Sequence, residues 1–210
     1  MSLKKYHIGL VLCLAFFSVA NFATAEEKFV SLFDGKTLSG WTPLPGGEWT
    51  VENGAIVGRS PKSERRHGML LSDNQYENFI VKAKFRVLKG DSGFYFRSER
   101  VKSAVSLNGF QVEIDTSQET GGLYETGGRA WVHNPSKDQA LIEKRKYSQG
   151  EWADLELTAN DGDLTVKING VLTTELKNDK GRKKGHFGLQ LHGGQEMHVE
   201  YKDIYIHELK

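Results

Sequence analysis

Between Phe79 and Val87 every second residue is apolar: Phe79, Val81, Ala83, Phe85 and Val87, with Lys82, Lys84 and Arg86 in between. Successive side chains of an extended strand point to opposite faces, so a period of two commits this stretch to a half-buried β-strand. Burying one such side chain is worth roughly 1.5–3 kcal/mol. A shift by one residue would exchange the apolar row for lysines, so the pairing of this strand is set by its own pattern.

The same rhythm recurs at 29–33, 49–52, 55–58, 68–71, 92–98, 109–115, 152–160, 164–168, 171–175, 185–192 and 199–208, while helical periodicity is almost absent. Asn53-Gly54, Asp161-Gly162 and Asn169-Gly170 stand between runs, where a tight hairpin needs residues tolerant of positive φ. Twelve short strands joined by such turns predict an all-β, two-layer sandwich of antiparallel sheets. Two stretches break the rhythm. Residues 58–68, rich in Ser, Arg and Lys, read as an exposed surface loop; residues 117–146 form a long loop with a helical turn expected near 137–144. Trp41 and Trp49 are expected to pin the N-terminal segment to the sandwich, and Trp152 to enter the core.

Lys4 and Lys5 precede an apolar run from Ile8 to Ala20, and Ala23-Thr24-Ala25 follows it. This is the pattern of a secretory signal peptide, expected to be cleaved near Ala25, and it implies export to the periplasm or beyond. The run is too short for a permanent membrane span, and none is expected in the mature chain. The chain then divides into 1–25 as leader and 26–210 as one domain. Cys13, the single cysteine, falls in the leader, so no disulfide is expected; Leu12 before it speaks against lipid attachment. Without Lys4 and Lys5 the formal charge of +1 becomes about −1, and no nucleic-acid partner is implied.

Two alternating runs carry the candidate chemistry. In Gly109-Phe-Gln-Val-Glu-Ile-Asp115, Phe110, Val112 and Ile114 would enter the core while Gln111, Glu113 and Asp115 line the other face; Gly185-His-Phe-Gly-Leu-Gln-Leu-His192 likewise presents Gln190 and His192. Close carboxylates push their pKa values apart, giving an acid and a base from two similar groups, and His192 can carry a proton near neutral pH. The same pattern is also that of a solvated outer sheet face. Arg97 would stand beside Glu113 if their strands are neighbours, either holding a carboxylate or polarising a substrate carbonyl. Tyr124, Glu125, Arg129 and Trp131 of the long loop could clamp a polar ring, so that together these residues describe a carbohydrate cleft. No phosphate-binding glycine loop, nucleophile elbow or HExxH motif is present, and no organic cofactor is expected.

The phrases Leu32-Phe-Asp-Gly-Lys-Thr-Leu-Ser-Gly-Trp41, Trp49-Thr-Val-Glu-Asn-Gly54, Tyr76-Glu-Asn-Phe79, Gly90-Asp-Ser-Gly93 with Phe96-Arg97-Ser98, Gly109 to Asp115, Gly122-Leu-Tyr-Glu125 and Gly188-Leu-Gln-Leu-His192 resemble the 3-keto-disaccharide hydrolase family, in order and across nearly all of the chain after the leader. The resemblance implies a concanavalin A-like jelly-roll sandwich and an exported enzyme acting on glycosides oxidised at C3. A ketone at C3 acidifies the proton at C2, so a base can remove it and the oxygen at C1 can leave. Glu113 or His192 is then the candidate base, the other or Asp115 the acid, and Arg97 or Arg129 the stabiliser of the enolate. Gln111, Tyr124, Glu125, Arg129, Trp131 and Gln190 are the candidate substrate-binding residues. Laminarinase-type glycosidases on this fold carry two glutamates bracketing an aspartate on one strand; Glu113 and Asp115 are followed instead by Thr116, Ser117 and Gln118, which disfavours double displacement on an unoxidised glycan. A divalent metal held by Glu113, Asp115 and His192 is compatible with the sequence, but the spacing does not demand it. The rival reading is a non-catalytic sugar-binding module of lectin or laminin G type on the same architecture.

Overall fold

The computed structural model describes residues 28–103 and 105–210; the leader, with Cys13, lies outside the described residues. The strands are β1 (Val30–Ser31), β2 (Trp41–Leu44), β3 (Glu48–Glu52), β4 (Ala55–Ser60), β5 (Gly68–Tyr76), β6 (Phe79–Lys89), β7 (Ser92–Arg100), β8 (Leu107–Ile114), β9 (Leu123–Thr126), β10 (Ala130–His133), β11 (Ala153–Asn160), β12 (Asp163–Ile168), β13 (Val171–Leu176), β14 (Gly185–Leu191) and β15 (Met197–Glu208), with one helix, α1 (Gln139–Arg145). One sheet runs β13-β12-β11-β6-β15-β4-β3 with β1 added on β15, the other β10-β9-β8-β7-β14-β5-β2. Every pairing is antiparallel. The all-β jelly-roll expectation holds.

The core lies between the sheets. Phe79, Val81, Ala83, Phe85 and Val87 of β6 are each at most 4% exposed, and meet Phe94, Phe96, Phe110 and Phe187 from the opposite sheet. Phe79 and Phe187 pack edge to face at 4.8 Å, and Phe96 stacks on Phe110 at 5.2 Å. On the outer side of β6, Lys84 pairs with Asp154 and Arg86 with Glu200 across neighbouring strands. The exposed Lys84–Asp154 pair adds little stability, while Arg86–Glu200 is partly buried; both keep that face wettable.

Each of the twelve anticipated runs contributes a strand, although the first shrinks to Val30–Ser31. Three strands were not anticipated. β2 contains Pro43, which a sheet tolerates because β2 is an edge strand; β9 and β10 form inside the supposed long loop, which also holds a 3₁₀ turn at Pro135–Lys137 and α1. Asn53 and Gly54 (φ +51° and +77°), like Asn169 and Gly170 (φ +50° and +76°), adopt the left-handed conformations that match the twist of a two-residue hairpin. Trp41 Nε1 donates to the Leu32 carbonyl at 2.7 Å, fastening the N-terminal segment as expected. Trp49 lies against Gly58, where any Cβ would come within 2.5 Å of its ring. Trp152 is a correction: Ala153, Leu155 and Leu157 face inward, so the period of two turns Trp152 outward. Its half-buried ring is held between Lys202 at 4.2 Å and Arg86 at 4.8 Å.

Candidate active site

The site is built on the outer face of the seven-stranded sheet, where β8, β7 and β14 run side by side. Phe110, Val112 and Ile114 are fully buried toward the core, which forces Gln111 and Glu113 to the other face. Gly93 pairs directly with Glu113 and Tyr95 with Gln111. Leu189 pairs with Phe94, which sets Gln190 beside Gly93, so a glycine floors the space between Glu113 and Gln190. A Cβ on Gly93 would fall 2.5 Å from the Gln111 side chain. The bare position lets Gln111 lie flat, and its Nε2 donates to Glu113 Oε2 at 2.9 Å.

Above this row is a cavity of about 390 Å³, lined by His67, Asp91, Tyr95, Val105, Gln111, Glu113, Glu119, Tyr124, Thr126, Trp131, Gln190 and His192. A hollow of about 620 Å³ near Trp41, Tyr76 and His207 is larger, but only the smaller one gathers buried carboxyl groups and imidazoles. Burial, then the neighbouring carboxylate and hydrogen bond of Asp91, hold the Glu113 carboxyl well above the usual carboxylate range. Gln190 Oε1 is buried beside the cavity without a hydrogen-bond partner. An unpaired buried oxygen is costly, and this one is an acceptor at the cavity wall.

The imidazoles are oriented by their other contacts. His192 Nδ1 lies 2.9 Å from the Gly193 carbonyl, which can only accept, so in the neutral ring the lone pair sits on Nε2. His67 Nδ1 accepts from Gln190 Nε2 at 3.2 Å, which leaves the His67 proton on Nε2. Burial and the adjacent His192 push the His67 imidazole down to about 4. At the rim Tyr124 and Trp131 meet edge to face at 5.5 Å, and Trp131 keeps 37% of its surface exposed. Tyr95 Oη and Thr126 Oγ1 are 2.8 Å apart on the cavity wall.

Thus Glu113, His192, Gln111, Gln190, Tyr124 and Trp131 come together. Arg97, Asp115, Glu125 and Arg129 do not line the cavity. Arg97 is not beside Glu113 although β7 and β8 are neighbours: Glu113 pairs with Gly93, four residues before Arg97, and beyond Phe96 the pairing is irregular and Arg97 takes φ +47°. Its buried guanidinium donates to the carbonyls of Glu77, Asp161 and Arg182 and to Asn78 Oδ1, so it fastens three connections between strands. Asp115 accepts from Thr120 Oγ1 at 2.5 Å and from Ser117 Oγ; buried Arg145 of α1 donates to the carbonyls of Thr120 and Ser117. Asp115 therefore organises the turn after β8. Arg129 is held by Glu125 and, in a fork, by Asp179 at 2.7 and 3.0 Å, which engages both residues away from the cavity.

Among the described residues no group of three or more His, Cys, Asp or Glu is arranged to hold a metal ion. The set Glu113, Asp115 and His192 does not form, because both Asp115 oxygens are engaged in the turn. Among the described residues no arginine or lysine lines the cavity, so donors to a developing oxyanion must be neutral: Tyr95 and His67, since Gln190 Nε2 already donates to His67 Nδ1 and Tyr95 Oη.

Asp91 and His67 escaped sequence reasoning for different reasons. Asp91 shares the parity of Gly93 and Tyr95, and carrying the alternation of β7 one step back would have reached it. His67 lies in the stretch read as exposed loop. That loop instead lies over the turn after β14: Gly194 N donates to the Glu64 carbonyl at 2.6 Å, and a Cβ on Gly193 would meet the Arg65 carbonyl at 2.3 Å. No local signal announces such a crossing.

Residues 28–207 match the family described as the 3-keto-alpha-glucoside-1,2-lyase-like domain. The chain belongs to this family. A 3-keto-disaccharide hydrolase of Bacteroides thetaiotaomicron is 29% identical over 87 residues, which are 37% of this chain and 30% of that protein, so the match spans under a third of the relative. Among solved structures, a candidate glycosyl hydrolase of Parabacteroides distasonis superposes with a TM-score of 0.64 at 20% identity, over 87% of this chain and 94% of its own. The carbohydrate-binding module CBM66 of Bacillus subtilis gives 0.58 at 17% identity, over 80% and 96%. These likenesses show the jelly-roll sandwich fold. No helix among the described residues is long and apolar enough to cross a membrane.

Proposed function

We propose that this chain is an exported carbohydrate-active enzyme that cleaves the glycosidic bond of 3-keto-glycosides by elimination. His192 Nε2 takes the proton from C2, and the electron pair moves toward the C3 ketone, whose oxygen receives hydrogen bonds from the neutral donors Tyr95 or His67. As the ketone reforms, the C1–O bond breaks, a C1=C2 double bond appears, and protonated Glu113 gives its proton to the departing oxygen. Water then adds, hydroxyl to C1 and hydrogen to C2, to leave the free 3-keto sugar. Burial of Glu113, and then the adjacent carboxylate of Asp91, keep it protonated until that moment, since a second charge beside Asp91 is resisted.

The observation that carries this reading is one cavity holding both a carboxyl group kept protonated by its surroundings and an imidazole whose Nε2 is free to accept. Turnover of a 3-keto-disaccharide in D₂O tests it: elimination and hydration place deuterium at C2 of the product. Cleavage without deuterium at C2 would replace elimination by direct hydrolysis, and no cleavage would remove the activity.

The rim pair Tyr124 and Trp131 favours a second reading, a sugar-binding module, because an exposed aromatic beside polar groups also suits a lectin. That reading expects affinity for unoxidised glycans and no turnover of any keto-sugar.

A further inference from the structure

A second hollow of about 400 Å³ adjoins the cavity. Only two short strips divide them. Arg66 lines the second hollow and His67 the first; Ser106 lines the second and Val105 the first. Ser106 Oγ donates to the His67 carbonyl at 3.1 Å and ties the strips together. A substituent carried by a sugar in the cavity need only cross this divide to enter the second hollow.

The two hollows differ in charge. The cavity carries Asp91, Glu113 and Glu119, whereas the second hollow carries Arg66, Arg100 and Lys102 and, among the described residues, no carboxylate. Arg66 is paired with Glu64 at 2.8 Å. Arg100 and Lys102 take part in no ion pair among the described residues. On the outer faces of β6 and β12, by contrast, Lys82, Lys84, Arg86, Lys89 and Lys167 each face a carboxylate. Two unpaired cations and a hydroxyl, with Leu44 and Pro45 as an apolar wall, are the makings of a seat for a ring that bears an anion.

We propose that this second hollow is the subsite for the leaving group, and that it selects leaving groups bearing an anion, a carboxylate or a sulfate, through Arg100 and Lys102. The inference rests on the proposed cleavage of 3-keto-glycosides and deepens it by naming the class of aglycone. Exposed cations act through a modest, salt-screened attraction. The preference is therefore several-fold, and it vanishes as ionic strength rises.

Two 3-keto-α-glucosides that differ only in a carboxylate on the aglycone ring provide the test. The wild-type protein is expected to show kcat/KM about 5-fold higher for the anionic one at low salt and less than about 2-fold in 0.5 M NaCl. Arg100→Gln with Lys102→Gln brings the ratio to about one and leaves the neutral substrate unchanged. A wild-type ratio near one at low salt, or a ratio that the double variant retains, overturns the proposal. A binding arm separates this failure from failure of the activity itself: glucuronate, glucose 6-sulfate and glucose are titrated by NMR against both proteins. If no keto-glucoside is cleaved, tighter binding of either anion that is lost in the double variant still supports the subsite, and equal binding of all three sugars removes it. Which anion binds more tightly identifies its source.

Discussion

His67 and His192 meet ring to ring, their centroids 4.3 Å apart and their planes at 57°. Burial resists a positive charge on His67, and the neighbouring imidazole adds to the resistance, so His67 stays neutral down to about pH 4. An unfolded histidine binds its proton near pH 6.5. Between these values the unfolded chain binds more protons, so folding stability falls as pH drops from about 6.5 to about 4. His67→Gln should remove that slope: in urea titrations at pH 7 and 4.5 the wild type is expected to lose roughly 1–2 kcal/mol more than the variant, a figure reduced for the partial exposure of the ring.

Glu113 has the opposite sign. Its carboxyl is held above the ordinary range, so the folded state favours its protonated form, and that contribution is lost as pH rises from the unfolded value through the raised one. Glu113→Gln replaces the acid by an amide of the same shape. We expect turnover of a 3-keto-disaccharide to fall by at least 100-fold. The thermal midpoint at pH 7.5 should rise by about 2–4 °C, corresponding to roughly 1 kcal/mol. Loss of stability together with activity would assign Glu113 a structural role.

Arg97→Ala is expected to destabilise the fold by about 3–5 kcal/mol, since it strips hydrogen bonds from three carbonyls at once. At a temperature where the variant is still folded, kcat and KM should match the wild type. A selective fall in kcat would mean that the guanidinium acts on the reaction.

Trp131→Ala should raise KM for a keto-disaccharide by roughly 5- to 10-fold with kcat nearly unchanged, the signature of lost uniform binding. The thermal midpoint should move little, because a third of the side chain faces solvent.

How much of this was legible beforehand depended on whether the physics was local. Alternation along β6, β8 and β14 put Phe85, Ile114 and Leu189 inside and Glu113 and Gln190 outside, because a strand fixes parity residue by residue. It failed at Arg97, where an irregular pairing and a left-handed backbone break the parity. It failed again at β9 and β10, whose short runs hold too few alternations to stand out. Asp115 has the right parity but lies where β8 gives way to a turn, and there the hydroxyls of Thr120 and Ser117 capture it. His67 reaches the cavity through a loop crossing that depends on Gly193 and Gly194, some 126 residues downstream of it, and no window of sequence contains both.

Because Gln111 and Glu113 share their backbone with Phe110, Val112 and Ile114, the reacting groups are anchored to the hydrophobic interior itself. Exchanging them wholesale would endanger folding, whereas exposed stretches such as residues 61–65 and 100–103 can drift in length and chemistry at small cost. Diversification among such proteins should therefore reshape the walls around a constant reactive floor, changing which partner sugar is released long before changing how its bond is broken.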